Sequence, residues 1–330
     1  MHTAVKRILK GGLFVLIPAA VIFLLSGILS PRYNYRDCGR MAYRFAGVYG
    51  EPENSIDLIL AGDSESFASY SPMQLWKEHG ITSYQCSSPM QTVQKTYEYL
   101  ETILENQSPS VLVIDAYHLF TEETWEQVIH SGIRMAVPAI ENHDLWRKMS
   151  LHEVKNPGQG RYLDDLKGFS LTFDAKPSGS ETMSSKNQYP PLPAVNYFVF
   201  SRLVELCREH DIQILLVSSP RGFNWSYGMH DRIVELSDKY KIPYLDMNLI
   251  QEKIGIDWEK HTWDNGDHLN YAGAVLTTRY LGQWLLQQTK LPDHREDPSF
   301  ASWEESLKTY ENAISKGENW QEISLRPAEQ

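Results

Sequence analysis

A serine hydroxyl becomes an effective nucleophile only when a base stands ready to take its proton, and a carboxylate usually orients that base. Two blocks of this sequence carry those residue types. The first is Ala61-Gly62-Asp63-Ser64-Glu65-Ser66. The second runs from His261 through Thr262, Trp263, Asp264, Asn265, Gly266, Asp267, His268, Leu269 and Asn270 to Gly273. Ser64 is the candidate nucleophile and His268 the candidate base. Asp264 and Asp267 compete for the place of the orienting acid. Asp264 is preferred, because the side chains of neighbours such as 267 and 268 tend to diverge. Each block also has a plainer reading. A Gly-Asp-Ser turn can be a simple helix cap, and Asp and Asn are common in capping loops.

Apolar runs place these blocks. Ile56–Ala61, Thr82–Cys86, Val111–Ile114, Ile212–Val217 and Ile242–Leu245 have strand character, Thr82–Cys86 the weakest. Pro72–His79, Thr92–Glu105, Val195–His210, His230–Lys241 and Ala272–Gln288 have helical apolar spacing. Strands alternating with helices imply a parallel sheet with helices on both faces. The serine block follows the first strand and the histidine block follows the last. In such sheets ligands bind outside the carboxyl ends of the strands. Residues 121–193 break the rhythm and read as an insertion, with helices near Trp125–Met135 and Leu145–Leu151. Past Pro292 the chain turns polar, yet Phe300, Trp303, Leu307, Tyr310 and Ile314 recur at helical spacing, as in an amphipathic helix docked on the body.

The chain has 330 residues and a formal net charge of -11. No basic run occurs beyond the first ten positions, which excludes a phosphate-tracking nucleic-acid binder. Cys38, Cys86 and Cys207 form no CxxC pair, so a structural zinc site is not expected. Gly11–Leu29 is uncharged and apolar. As a helix it would span roughly 28 Å, close to the hydrocarbon thickness of a bilayer. Lys6, Arg7 and Lys10 precede it, which favours a cytoplasmic N-terminus; Arg32, Arg36 and Arg40 follow it. A cleaved signal peptide is the alternative, but the run is long and no A-x-A site follows. The expected organisation is a stub and transmembrane anchor (1–30), a linker (31–54), a main domain (55–292) and a polar tail (293–330). On this reading the protein sits in the cell membrane by a single pass, with its catalytic domain outside the cytoplasm.

Taken together, the Gly-Asp-Ser block after the first strand and the Asp-His-Leu-Asn-x-x-Gly block after the last resemble the SGNH (GDSL-like) hydrolase superfamily over about residues 55–290. With the anchor, the chain looks like the membrane-bound branch that includes the teichoic acid D-alanylation protein DltD and polysaccharide O-acetyltransferases. The resemblance implies an α/β, three-layer flavodoxin-like fold. It also implies a serine esterase or O-acyltransferase that works through an acyl-serine and needs no cofactor. Ser64 takes the nucleophile's place and His268 the base's. The implied partners are a cell-surface glycopolymer or acyl donor, with an integral-membrane acyltransferase as a further candidate.

Three positions depart from the family pattern. Asn265 stands where the acid is usual, three residues before the histidine, leaving Asp264 or Asp267. The block Cys86-Ser87-Ser88-Pro89-Met90-Gln91 lacks the oxyanion glycine, so a backbone N–H near Ser87 or Ser88, or the Gln91 amide, must serve. Asp115 stands where an asparagine is usual. Arg221, after the fourth strand, is either a substrate-anion contact or a solvated arginine. His118 is a further candidate for the cleft, and Tyr117, Trp225 and Trp263 are candidates to stack on sugars. Two other function classes remain open. One is a metal-dependent hydrolase using His261, Asp264, Asp267 and His268. The other is a non-catalytic envelope protein that retains the fold.

Overall fold

The structure is a computed structural model that describes residues 2–29, 45, 47–137, 139, 147, 162–179, 183, 190–320 and 325–327. The strands are β1 (Leu58–Gly62), β2 (Ser83–Ser87), β3 (Val111–Asp115), β4 (Tyr162–Asp164), β5 (Gln213–Ser218), β6 (Tyr244–Asp246) and β7 (Leu325–Pro327). The helices are α1 (His2–Ile28), α2 (Ser64–Ser69), α3 (Pro72–His79), α4 (Val93–Ile103), α5 (Trp125–Ala136), α6 (Ala194–Glu209), α7 (Tyr227–Tyr240), α8 (Gln251–Ile254), α9 (Tyr271–Gln288) and α10 (Ala301–Lys316).

Five strands form one parallel sheet in the order β2-β1-β3-β5-β6. Successive strand side chains face opposite sides of a sheet, and here both sides are apolar. Leu58, Leu60, Val111, Val113, Leu215 and Val217 pack on one face with Leu75 of α3 and Leu281 and Leu285 of α9. Ile59, Ala61, Leu112, Ile114, Ile214 and Leu216 pack on the other, under residues of α4, α6 and α7. The near-continuous Val, Ile and Leu runs of these strands follow from that double burial. The chain reverses its winding direction between β1 and β3. That is the point where a doubly wound sheet opens a crevice at its carboxyl edge.

Most expected elements are present, with shifted ends. The closing strand begins at Tyr244 rather than Ile242, and Pro243 just before it has no N–H to give to a ladder. The antiparallel pair of β4 and β7 was not expected; three-residue strands leave little periodicity to read. The amphipathic helix expected past Pro292 is present as α10 and docks on the body: Trp303, Tyr310 and Ala313 are buried in the main core. The second half of the insertion is equally embedded. Lys167 is buried and pairs with buried Glu51 at 2.7 Å, and its ammonium lies 4.8 Å from the Trp303 ring centroid. The end of the supposed linker joins the core as well, where Phe45 stacks on Tyr99. The helix expected near Leu145–Leu151 lies outside the described residues, Arg147 excepted.

The apolar N-terminal stretch is helical, as α1, with Leu13, Phe14, Leu16, Phe23 and Leu24 exposed. Counted over the described residues alone, no helix is long and apolar enough to cross a membrane.

Candidate active site

The β1–α2 turn sets out the serine. Gly62 ends β1 so close to its neighbours that an added Cβ would lie 2.6 Å from the Ser66 Cβ and 2.9 Å from the Asp115 Cβ. Asp63 caps α2, accepting the Glu65 N–H at 3.3 Å. Ser64 is therefore the first residue of α2, where a backbone N–H has no intrahelical acceptor. Its side chain is half-buried, and its Oγ donates to Glu65 Oε2 at 3.3 Å.

The histidine loop explains how a four-residue spacing works. Thr262 and Leu269 bridge as an antiparallel pair, and the Trp263 N–H donates to the His268 carbonyl at 3.3 Å, so the loop closes on itself. Asn265 (φ 67°) and Gly266 (φ 103°) turn the chain back through left-handed conformations. This brings both oxygens of Asp264 onto His268. Oδ1 accepts its backbone N–H at 2.8 Å, and Oδ2 accepts from Nδ1 at 2.5 Å. Asp267 is further off, with Oδ2 3.7 Å from Nδ1, and its side chain is 41% exposed. It does not cap the following helix: Asn270 does, accepting the Gly273 N–H. With Nδ1 bonded to Asp264, the imidazole has Nε2 left. That atom is buried and, among the described residues, makes no hydrogen bond.

The two blocks meet through Glu65. Ligating atoms of Glu65, Asp267 and His268 all lie within 4.8 Å of one another. Glu65 is 6% exposed and forms an ion pair at 2.8 Å with Arg221, whose guanidinium also stands 3.7 Å from Asp63. Arg221 is fully buried and lies 3.4 Å from the Tyr117 ring centroid. It is thus neither a solvated arginine nor a free anion contact, because its charge is committed beneath the serine turn. Burial is the largest influence on Glu65 and opposes its ionisation, but Arg221, the Asp63 hydrogen bond and the His268 charge together outweigh it and hold the carboxyl down at about 2. Burial, reinforced by the facing Glu65, pushes Asp63 well above the usual carboxylate range. Glu65 is therefore the charged member of that pair. Burial also lowers the His268 imidazole. The Asp264 hydrogen bond and the charges of Glu65, Asp264 and Asp267 raise it by more, so the net shift is upward.

Other expected residues are placed differently. Gln91 is buried and both amide hydrogens are used, on the Cys86 carbonyl at 3.1 Å and Thr96 Oγ1 at 2.9 Å, so it is not free to hold an oxyanion. Ser87 ends β2 opposite Gly62 and accepts from Gln85; Ser88 follows it, half-exposed, donating to Gln91. Asp115, in the asparagine's place, accepts from Tyr70 and from the Ser219 and Tyr117 N–H groups. His118 does not line the cleft. It is buried between the Asp115 carbonyl and Thr96, and burial lowers it to about 4. Trp225 is buried, with its indole N–H on Asp246. Trp263 stacks on His268 with centroids 5.6 Å apart, whereas the Tyr117 ring is taken up against the Arg221 guanidinium. The His261 Nδ1 accepts the Asp257 N–H, which takes it out of any metal set with Asp264. Among the described residues Glu65, Asp267 and His268 are the remaining donor set, but a guanidinium 2.8 Å from one donor opposes a cation there.

Glu65 and Phe223 carry no signal of a site role in the local sequence. Glu65 adjoins Ser64, yet a glutamate in a first helical turn is an ordinary dipole partner. Phe223 is 37% exposed beside Gly222, whose N–H donates to the Gly266 carbonyl at 3.1 Å. No local pattern announces that meeting of loops.

No family model and no curated protein matches this chain. Among solved structures it is similar to a protein assigned as an acylhydrolase from Bacteroides fragilis (14% identity, 76% of this chain and 95% of that one, TM-score 0.40). It is similar to a GDSL-like lipase from Bacteroides thetaiotaomicron (12%, 70% and 88%, TM-score 0.37). It is also similar to a psychrotrophic esterase from Pseudoalteromonas (12%, 71% and 100%, TM-score 0.38). Likeness this distant decides neither activity nor substrate.

Proposed function

We propose that this chain is an SGNH-type serine hydrolase, an esterase or O-acyltransferase that works through an acyl-serine. One observation carries the reading. His268 is held by both oxygens of Asp264, its Nε2 is buried without a partner, and it lies in the cluster that reaches the Ser64 turn through Glu65. That is the arrangement a general base needs: tautomer fixed on one side, proton-accepting nitrogen open on the other.

In the first step the Ser64 hydroxyl turns from Glu65 toward His268 Nε2 and gives up its proton as Oγ attacks an ester carbonyl. The resulting oxyanion sits at the carboxyl edge of β1, where the Ser64 N–H, free of helix bonding, is one donor. A backbone N–H near Ser88 is the candidate for a second. As the tetrahedral intermediate collapses, imidazolium returns the proton to the leaving alkoxide and the acyl-serine remains. Water, or a sugar or polyol hydroxyl, then attacks with His268 again as base. Phe223 and Trp263, on adjoining loops, offer rings on which a sugar acceptor can stack.

We assign the enzyme to the outer face of the cell membrane, acting on acyl groups of a cell-surface polysaccharide or teichoic-acid-like polymer. The uncharged Gly11–Leu29 stretch and the preceding Lys6, Arg7 and Lys10 support the anchor and its direction. An integral-membrane acyltransferase is the natural source of an activated acyl group for such an enzyme. Labelling by a fluorophosphonate tests the chemistry. Wild type is expected to label at Ser64, and Ser64→Ala and His268→Ala to lose the label. A folded wild-type protein that does not label would favour the non-catalytic reading.

A further inference from the structure

Helix α5 is built with its apolar side out. It is well formed, with Thr124 and Gln127 closing a capping box at its start. Among the described residues its inner contacts are modest: Ser131 is buried against Gln94, and Val128 packs partly on the core. Trp125 is 49% exposed, Ile129 59% and Ile133 47%; Gly132 and Ala136 are exposed on the same side. At 100° per residue these five positions form one stripe. Phe198 of α6, 42% exposed, extends it, its ring 5.1 Å from Trp125. Glu126, Gln127, His130 and Arg134 occupy other sides of the helix. A soluble surface rarely leaves an aromatic and two isoleucines in a row without a partner.

The fold indicates the partner. Where α1 ends, the Ser26 hydroxyl accepts the Ala139 N–H at 3.3 Å, and Leu29 and Ala139 are buried against each other. Ala139 lies three residues beyond the end of α5, so the exit of the apolar N-terminal helix is tied to the last turn of the exposed stripe. Three residues of chain reach at most about 11 Å. If α1 crosses a bilayer, its exit lies in the headgroup layer, and α5 cannot be far from it. Trp and Ile on one side of α5, with charge on the others, is the composition of a helix lying in that layer.

We infer that the Trp125–Ile129–Ile133 face of α5, with Phe198, is a second membrane contact that lays the domain on the bilayer its N-terminal helix enters. The inference rests on the anchor reading above. Glu123, just before α5, accepts from Thr92, the N-cap of α4, at 2.7 Å, and α4 starts at the carboxyl end of β2. The contact therefore belongs to the sheet edge that carries Ser64, so a donor or acceptor lying in the bilayer surface would be presented to the catalytic side.

The test uses the full-length chain, one copy per phosphatidylcholine nanodisc, with Cys38→Ser so that the buried Cys86 and Cys207 are the cysteines left. An environment-sensitive fluorophore is placed on Ile129→Cys, on Gln127→Cys as the control away from the stripe, or on Ile17→Cys within the anchor. Lipids spin-labelled near the headgroup should quench Ile129→Cys several-fold more than Gln127→Cys, and lipids labelled deep in the chain should quench Ile17→Cys. Quenching at 17 but not at 129 overturns the contact and leaves the anchor standing. A probe at 129 that is shielded from water but not quenched by lipid, covered by protein instead, overturns it as well. Absence of quenching at 17 removes the anchor and this inference together, whereas fluorophosphonate labelling of Ser64 would be untouched.

Discussion

The acid of the proposed triad is decided by a grip and not by proximity in sequence. Asp264 holds both the backbone N–H and Nδ1 of His268, whereas Asp267 adjoins His268 in the chain and stands 3.7 Å from the ring with much of its carboxylate in solvent. Asp264→Asn is expected to lower turnover by about 10²- to 10⁴-fold, as loss of the orienting acid does in serine hydrolases. Asp267→Asn should change it little. Steady-state kinetics with melting temperatures as controls separate the two. The same hydrogen bond sets the pH profile. His268 must be neutral to act as base, and its upward shift places the rise of kcat/KM with pH above 6.5, the ordinary histidine value. Asp264→Asn should move that midpoint down. Stability runs in the opposite direction. A folded value above the unfolded one makes the contribution of His268 complete below the ordinary value and lost as pH climbs through the raised one.

At the scale of elements, the site depends on two turns and the contact between two loops. Gly266 has a φ of 103°, and a Cβ there would meet Ser178 Oγ at 2.5 Å. Its carbonyl also receives the Gly222 N–H, joining the histidine loop to the loop that carries Arg221. Gly266→Ala should strain the backbone by about 1–3 kcal/mol and loosen the Asp264 hold on His268. The expected outcome is a larger loss in kcat than in melting temperature, together with a downward drift of the pH midpoint. A variant that loses stability but keeps the wild-type pH profile would show that the loop holds its shape without this glycine. Gly62 plays a different part, letting α2 and the end of β3 crowd the end of β1 so that Ser64 stands at the edge.

The whole molecule is tied together by segments that composition alone assigns to its margins. Trp303 of α10 is fully buried beside Trp76 and beneath the Lys167 ammonium, which itself pairs with Glu51. Trp303→Ala is expected to cost about 3–5 kcal/mol, the usual range for emptying a buried indole site, and more if Lys167 loses its cover. Chemical denaturation would measure it. A loss near zero would mean that α10 is an appendage after all. The Ser71 hydroxyl donates to Tyr310 at 3.2 Å, so α10 is also linked to the start of α3, just past the helix that Ser64 heads.

The local parts follow from residues that are near one another in the chain. Alternating apolar runs set the strands and their double burial, helical spacing set most of the helices, and the order of blocks put a serine after the first main-sheet strand and a histidine after the last. These are properties of neighbours in the chain, and period and turn chemistry report them directly. What depends on residues far apart was settled by the folded molecule. It sent Arg221 under the serine turn, spent the Gln91 amide and His118 on internal hydrogen bonds, brought Glu65 to His268, and drew the 162–171 segment into the core. Each of those outcomes is a choice among partners that compete for the same buried charge or hydrogen bond. Such choices are settled by which groups the completed sheet and loops bring within reach, and no window of sequence holds that information.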